Sequence, residues 1–210
     1  MQTLKEKPIH LETHPALTVC GVAFDLTPEG AAWLAAERLL VVADLHLEKG
    51  SAYAARGQPL PPYDTRATLA RLEKLIARFH PRAVVALGDS FHDRAAASRM
   101  DASDAAHLTR LAKNLDWVWI SGNHDPVPPR EFGGTVMAEL RLGPLTFRHE
   151  PRNAPATGEI AGHLHPCAAA ATPPTARAWS CRPSAPMPAA STSSTAPSTA
   201  CCPVSIFMPG

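Results

Sequence analysis

The sequence predicts an α/β fold, because strand-like and helix-like segments alternate along most of its 210 residues. Three continuous apolar runs have the length and pattern of buried strands: Leu39–Ala43, Ala83–Leu87 and Trp117–Ile120. A helix is predicted in each interval between these runs, and polar residues follow the end of every run. A sheet of this kind holds its ligands in the crevice beyond the carboxyl ends of its strands.

The segments on either side of these runs predict further strands. Before them, Leu17–Phe24 and Ala31–Leu34 are predicted as strands of a meander, with turn residues at Pro28–Gly30. The remaining short strands are predicted at Thr135–Leu140, Leu145–His149 and Gly158–Ala161. The two helices are predicted at Pro62–Phe79 and Ser103–Asn114, the first from its apolar residues at helical spacing.

Composition is typical of a globular protein, with 45% hydrophobic and 19% charged residues. The longest apolar runs are strand-sized, so no membrane span is expected. Met1–His10 is polar and no apolar stretch follows it, so no secretory signal is expected and the cytoplasm is the predicted location. The net charge of +1 and the absence of a lysine-rich arm give no indication of non-specific nucleic-acid binding.

The first chemical motif is the pair Asp44 and His46, directly after the first buried strand. If this strand end is extended, residues two apart point to the same side, so both side chains can hold one metal ion. An Asp-x-His pair on its own is more often an ordinary surface pair. Its significance therefore depends on the motifs that follow.

The second motif, Gly88–Asp93, follows the second buried strand. Gly88 allows a tight turn that presents Asp89 at the strand tip. A carboxylate has two acceptor oxygens, so Asp89 can bridge two cations. For His92 and Asp93, a role in stabilising the loop is the favoured interpretation.

The third and fourth motifs supply an amide and four histidines. Asn123 offers a neutral oxygen ligand, His124 a proton donor, and Asp125 a carboxylate that can orient His124 through a ring nitrogen. Further along the chain, histidines at alternate positions of Gly162–His165 face one side if that segment is extended. These are His163 and His165, and His149 lies fourteen residues before His163.

In this order, and each after a predicted strand, the motifs resemble those of the calcineurin-like metallophosphoesterase superfamily, from about Leu39 to Pro166. The resemblance implies a four-layer β-sandwich flanked by helices and a two-metal phosphoesterase. It implies Asp44, His46 and His165 as ligands of the first metal, and Asn123, His149 and His163 as ligands of the second. Asp89 would bridge the two metals, and His124, with Asp125 behind it, would protonate the leaving oxygen.

Within the superfamily, the run Ala43–Gly50 and the opening meander are similar to the bacterial ligase-associated DNA damage response endonucleases. That similarity implies DNA as substrate, a role in DNA repair, and association with a DNA ligase or helicase. Mixed oxygen and nitrogen ligands favour Mn²⁺, with Fe or Zn²⁺ as alternatives. A hydrolase of small phosphate monoesters or cyclic nucleotides, and an inactive product, remain alternative hypotheses.

The sequence changes character at residue 167. Ala, Pro, Ser, Thr and Cys dominate Cys167–Gly210, which holds four of the five cysteines and no acidic residue. A disulfide framework has a low prior in a cytosolic protein, and a flexible low-complexity tail is the simpler alternative. We favour a third hypothesis, a frameshifted translation of a G+C-rich gene. When the third base of each codon is joined to the first two bases of the next codon, the region between Cys181 and Ser193 can encode an ordinary strand-and-turn sequence. The expected organisation is thus a metallophosphoesterase domain at 1–166 that lacks its C-terminal strands, and a disordered tail at 167–210.

Overall fold

The computed structural model describes residues 16–58, 63–152 and 157–163, and the backbone of Val204–Ser205. Within these residues, the strands are β1 (Ala16–Val19), β2 (Val22–Leu26), β3 (Ala32–Leu34), β4 (Leu39–Val42), β5 (Ala83–Ala86), β6 (Asp116–Ile120), β7 (Thr135–Met137), β8 (Glu139–Leu142), β9 (Leu145–Arg148), β10 (Glu159–Ala161) and β11 (Val204–Ser205). The helices are α1 (Lys49–Ala55), α2 (Asp64–Phe79), α3 (Ala96–Arg99) and α4 (Ala102–Lys113), with a 3₁₀ turn at Arg130–Phe132.

The first sheet has seven strands in the order β1 to β7. The strands β1 to β4 form an antiparallel meander, whereas β4, β5, β6 and β7 are parallel. Parallel neighbours need crossover connections, and α2 and α4 lie in those between β4, β5 and β6. The carboxyl ends of these three central strands therefore meet at one edge of the sheet.

The second sheet has four strands in the order β11, β10, β9 and β8. The strands β8 and β9 form a hairpin, and β10 pairs parallel to β9. The backbone of β11 pairs parallel to β10 through Val204 and Ser205. The second sheet thus combines strands that follow β7 with two residues from far along the chain.

Two apolar clusters lie on opposite faces of the first sheet. One packs the sheet against α2 and α4, with Leu72, Leu108 and Trp117 among its members. The other packs the two sheets together, around Phe24, Val85 and Phe147 and their neighbours. The predicted α/β sandwich of two sheets and helices is confirmed, and the described residues form three of its layers: helices, first sheet and second sheet.

The two long helices follow their sequence patterns closely. Leu69, Leu72 and Leu75 of α2 are buried on one face, and the helix ends at His80, whose backbone is left-handed. The helix α4 begins after Asp101, whose side chain accepts a hydrogen bond from the backbone N–H of Ser103 at 2.8 Å. Such a cap stabilises a helix by about 1 kcal/mol. No helix in the described part of the chain is long and apolar enough to cross a membrane.

The structure corrects two strand predictions. Leu17–Phe24 is not one strand but the hairpin of β1 and β2, because Cys20 and Gly21 adopt positive φ angles of 48° and 80° and reverse the chain. Thr135–Leu140 is divided at Ala138, where the chain passes from the first sheet to the second. Apolar and polar residues alternate in the same way in strands of either sheet. The sequence pattern therefore did not reveal that the chain passes from one sheet to the other at Ala138.

Apart from β11, the tail 167–210 lies outside the described residues, and so does His165. The proposed boundary at residue 166 and the frameshift therefore stay predictions.

Candidate metal centre

The four motifs meet where the central strands end. Asp44 follows β4, Asp89 follows β5, and Asn123 follows β6. The segments after β4 and β5 remain hydrogen bonded to each other, since the N–H of His46 donates to the carbonyl of Asp89 at 2.9 Å. Two histidines arrive from the second sheet: His149 directly after β9 and His163 after β10.

The sequence analysis assumed an extended backbone around Asp44 and His46 and around His163. The structure shows that the backbone at these ligand residues is not extended. Asp44, His46, Asp89 and His163 all have positive φ angles, between 44° and 66°. Between and beside them, Leu45 and Leu47 are almost fully buried and anchor the segment in the core. The polar residues of this segment alternate with buried leucines, and their left-handed backbone turns the polar side chains toward the crevice. An extended strand would not need left-handed residues to do so.

The first group of candidate ligands consists of Asp44, His46 and Asp89, whose ligand atoms lie within 4.8 Å of one another. Asp44 and Asp89 are each only 1% exposed. The N–H of His163 donates to both oxygens of Asp44, at 3.0 and 3.2 Å. Burial raises the pKa of Asp44 to about 7, although the positive charge of His149 acts in the opposite direction. The predicted fourth member, His165, lies outside the described residues.

The second group consists of Asp89, His149 and His163, again with ligand atoms within 4.8 Å. Asn123 completes it: its Oδ1 lies 2.8 Å from His149 Nε2 and 3.0 Å from His163 Nδ1. His149 Nδ1 faces the carbonyl oxygen of Leu87 at 2.9 Å. An Nδ1–H that donates to this carbonyl leaves Nε2 as the coordinating atom of the neutral ring.

Asp89 is shared by the two groups. Its Oδ1 accepts a hydrogen bond from the backbone N–H of His124 at 2.8 Å, and its Oδ2 lies 3.3 Å from His149 Nε2. Burial alone would raise the pKa of Asp89, but the hydrogen bonds from His149 and from the His124 backbone outweigh it, and the pKa is lowered. The hydrogen bond to Asp89 and the contact with the Leu87 carbonyl raise the pKa of His149, against the effect of its own burial.

This donor set fits divalent metal ions. Carboxylate oxygens, an amide oxygen and imidazole nitrogens suit cations such as Mn²⁺, Fe and Zn²⁺. In the second group His149 Nε2 lies 2.8 Å from Asn123 Oδ1 and 3.3 Å from Asp89 Oδ2, and both of these oxygens are acceptors. Acceptor atoms that face one another in a buried site repel unless a proton or a cation lies between them. The assignment of individual ligands to two metals stays a prediction.

His124 lies beside the two groups of candidate ligands and belongs to neither of them. Its Nδ1 lies 2.8 Å from the carbonyl oxygen of His92, and its ring is 5.0 Å from that of His46. When Nδ1–H donates to this carbonyl, Nε2 is left for contact with a substrate. His92, which sequence reasoning assigned only to the loop, therefore orients His124 through its backbone. Its own ring forms a further cluster with those of His46 and His124.

Asp125 does not orient His124, in contrast to the prediction. Its Oδ2 accepts a hydrogen bond from the backbone N–H of Phe91 at 3.1 Å, and the side chain is 2% exposed. Burial raises the pKa of Asp125 to about 7. The side chain of Asp125 points inward, and its hydrogen bond with the Phe91 N–H holds the loop that carries Asp89. Asp125 is thus a positioning residue for that loop.

The motif glycines leave space for ligands from other motifs. A Cβ on Gly122 would lie 2.2 Å from both the backbone nitrogen and Oδ1 of Asp89, and one on Gly88 would lie 2.6 Å from the ring of His149. A Cβ on Gly162 would lie 3.1 Å from Asp44 Oδ2. Each of these three glycines is therefore required by the close approach of a segment distant in sequence, which explains why Gly precedes the polar residue in the second, third and fourth motifs.

Two cavities open on either side of Asn123. The first, about 490 Å³, is lined by Arg56, His92, Asp93, Arg94, Ala95, Asn123 and His124. The second, about 330 Å³, is lined by Ser121, Gly122, Asn123, Ala138, Glu139, Arg148, His149 and Glu150. Asn123 lines both cavities and His149 lines the second, so each cavity reaches the second group of candidate ligands.

Asp93 lies on the wall of the first cavity and is not a member of any ligand group. Both of its oxygens accept hydrogen bonds from Arg99 at 2.9 Å, and Oδ1 accepts one from the N–H of Ala95. Burial acts to raise the pKa of Asp93, but the hydrogen bonds from Arg99 and the Ala95 N–H, with the charge of Arg99, together outweigh it and the pKa is lowered. The loop-stabilising role predicted for Asp93 agrees with these contacts.

Comparison with known proteins identifies the class. The profile described as calcineurin-like phosphoesterase matches residues 37–167, which include every candidate ligand. Among solved structures, the chain is similar to the nuclease MPE of Pseudomonas putida, with 33% sequence identity, a TM-score of 0.60, and coverage of 73% of this chain and 74% of that chain. No curated protein matches the chain.

The fold and the site together define a hydrolase of phosphate esters that uses divalent metal ions. The chain belongs to the calcineurin-like phosphoesterase family.

Proposed function

We propose that this protein is a two-metal phosphodiesterase that cleaves DNA. The observation that carries the proposal is the position of Asp89, which lies in both ligand groups while its Oδ1 fixes the backbone of His124. A bridging carboxylate next to a proton donor is the arrangement that an in-line displacement at phosphorus needs. The similarity to a nuclease and the likeness of Ala43–Gly50 to ligase-associated endonucleases support DNA as the substrate.

The metals would be held by Asp44, His46 and Asp89 on one side, with His165, and by Asp89, Asn123, His149 and His163 on the other. When bound, such cations supply Lewis-acid stabilisation of the charge that develops at phosphorus. We propose Mn²⁺ as the ion used. Association with a DNA ligase or helicase, in DNA repair, is part of the same proposal and rests on the subgroup resemblance alone.

The residues of the chain provide the proton transfer. Water adds to phosphorus and loses one proton to the solvent, from which His124 later regains the proton that it donates. The bond from phosphorus to the ester oxygen breaks with its electron pair remaining on that oxygen. Nε2 of His124 donates a proton to the departing oxygen, while the His92 carbonyl holds the ring in place through Nδ1. General acid catalysis of this kind is worth roughly 10²- to 10⁴-fold in rate.

Hydrolysis of three substrates tests the proposal. Purified protein is incubated with Mn²⁺ and with bis-p-nitrophenyl phosphate, p-nitrophenyl phosphate or a single-stranded oligonucleotide, and Asp89→Asn is the matched control. The proposal expects the diester and the oligonucleotide to be hydrolysed and the control to be inactive. Hydrolysis of the monoester alone would indicate a small-molecule phosphomonoesterase, and no hydrolysis of any substrate by a folded, metal-loaded protein would indicate an inactive product.

A further inference from the structure

The two cavities beside Asn123 differ in charge. Arg56 and Arg94 line the cavity on the His124 side, and both side chains are exposed. Glu139 and Glu150 line the other cavity, where Glu139 is paired with Arg141, Arg148 and Arg152. Only the first cavity therefore has arginines among its lining residues that are not already paired with a carboxylate, and these attract a phosphate group.

The two arginines have their positive charges available. Within the described part of the chain, neither Arg56 nor Arg94 forms an ion pair, whereas the acidic residue of the same cavity, Asp93, is neutralised by Arg99. The wall beside His124 thus carries two arginine charges that no carboxylate of the described residues neutralises.

Both arginines lie on turns beside the cavity. Arg56 directly follows α1, and the Tyr53 ring of α1 lies 5.9 Å from the His92 ring, which lines the cavity. Arg94 lies in a tight turn closed by the hydrogen bond from the Ala95 N–H to Asp93 Oδ1 at 2.9 Å. The cavity volume of about 490 Å³ lies within the range of about 300–1,000 Å³ that is usual for ligand pockets.

We propose that Arg56 and Arg94 bind a second phosphate of the substrate, the one attached to the leaving group. The inference rests on the proposed function, in which His124 protonates the leaving oxygen, because the leaving group must then occupy the cavity that His124 lines. In a polynucleotide, the leaving sugar carries a further phosphate on its other hydroxyl. The site therefore prefers internal bonds of a nucleic-acid strand to a phosphodiester that has no other phosphate.

Dinucleotides of thymidine provide the test. TpT has only the scissile phosphate, pTpT adds a phosphate to the sugar whose 3′ oxygen forms the ester, and TpTp adds one to the sugar whose 5′ oxygen forms it. Cleavage of the internal bond is measured by chromatography with Mn²⁺. One of the two extended substrates, and only one, is expected to show a KM about fivefold to tenfold lower than that of TpT, which is the size of one or two charged hydrogen bonds at an exposed site.

The variants Arg56→Ala, Arg94→Ala and the double variant are compared with Arg110→Ala. Arg110 is an exposed arginine on α4 that pairs with Glu73 and lines neither cavity, so its variant loses the same charge elsewhere. The preference for the extended substrate should fall about threefold in each single variant and disappear in the double variant. Arg56→Lys and Arg94→Lys should keep most of it, and thermal melting establishes that all variants are folded.

Three outcomes overturn the inference. The terminal phosphate could fail to lower KM in the unchanged protein, both placements could help equally, or the preference could survive in the folded double variant. Hydrolysis of bis-p-nitrophenyl phosphate, which has no second phosphate, separates these failures from failure of the proposed function. If that diester is hydrolysed and TpT and its extended forms are not, the assignment of a polynucleotide is wrong while the phosphodiesterase stands. If no diester is hydrolysed, both proposals are wrong.

Discussion

Replacement of Asp89 by Asn tests the central feature of the site. In the structure, Oδ1 of Asp89 accepts the His124 N–H and Oδ2 faces His149 Nε2. An Asn that keeps its oxygen toward the His124 N–H points its NH₂ group at the second ligand group, and an NH₂ group cannot coordinate a cation. Asp89→Asn should therefore release the second metal and weaken the first.

The magnitude follows from what the metals supply. Stabilisation by a metal ion in such sites is worth several kcal/mol, and each 1.4 kcal/mol is a factor of ten in rate, so the loss should be about 10³-fold or greater. Asp93→Asn removes the same charge nearby but outside both groups. Its ion pair with Arg99 is partly exposed, at 30% and 22% of the two side chains, and is worth about 1 kcal/mol at most, so the loss should stay below about tenfold.

The assay is kcat/KM for bis-p-nitrophenyl phosphate with saturating Mn²⁺, together with metal content per chain by mass spectrometry and the melting temperature of each variant. Asp89→Asn should hold at most one metal and Asp93→Asn two. Equal losses of activity in the two folded variants, or two tightly bound metals in Asp89→Asn, would refute the role of Asp89 as the bridge.

Four further predictions concern other residues. His124→Ala should retain both metals and lose roughly 10²- to 10⁴-fold in rate on an oligonucleotide, but much less on esters with a p-nitrophenolate leaving group; a fall in metal content would make His124 a ligand. Gly122→Ala, whose Cβ would clash with Asp89 at 2.2 Å, should lower the free energy of unfolding by about 1–3 kcal/mol and reduce metal content, whereas Gly57→Ala, with open space around its Cβ, should leave metal content unchanged. Because burial raises the pKa of Asp44 to about 7, this carboxyl is mostly protonated at pH 6 and mostly ionised at pH 8.5; calorimetry in buffers of different ionisation enthalpy should therefore find more protons released per metal bound at pH 6, and equal release at both values would contradict the shift. Removal of residues 167–210 should change the melting temperature little, since β11 contributes only two pairing positions to β10, and a loss of folding would show that the tail is structural.

The features that could be predicted are those in which local pattern and chemistry coincide. The runs that became β4, β5 and β6 are apolar throughout and end in Asp, Gly-Asp or Gly-Asn-His, so both the parallel strands and the edge that carries the site followed from them. The ligand candidates Asp44, Asp89, His149 and His163 could be named because carboxylates and histidines recur after successive strands. That these four side chains lie close together could be established only from the fold.

The features that could not be predicted depend on contacts between distant residues. Nothing in the sequence around Asp125 distinguishes a side chain that reaches His124 from one that reaches the Phe91 N–H, because both partners lie nearby and the choice depends on how β5 and β6 pack. The contribution of His92 is made by its carbonyl, which every residue has. The unpaired positive charges of the first cavity likewise come from residues on separate segments, namely Arg56 directly after α1 and Arg94 in the loop after β5.

The left-handed backbone of the ligand segments limits how this protein can be engineered. An L-residue with a side chain costs roughly 1–2 kcal/mol in that conformation, whereas glycine adopts it without a steric penalty. Asp44, His46, Asp89 and His163 all carry that cost. Glycine at any of these four positions would remove that backbone cost, but it would also remove a candidate ligand. Thermostability and catalysis have to be selected together in this enzyme, or the four positions held fixed.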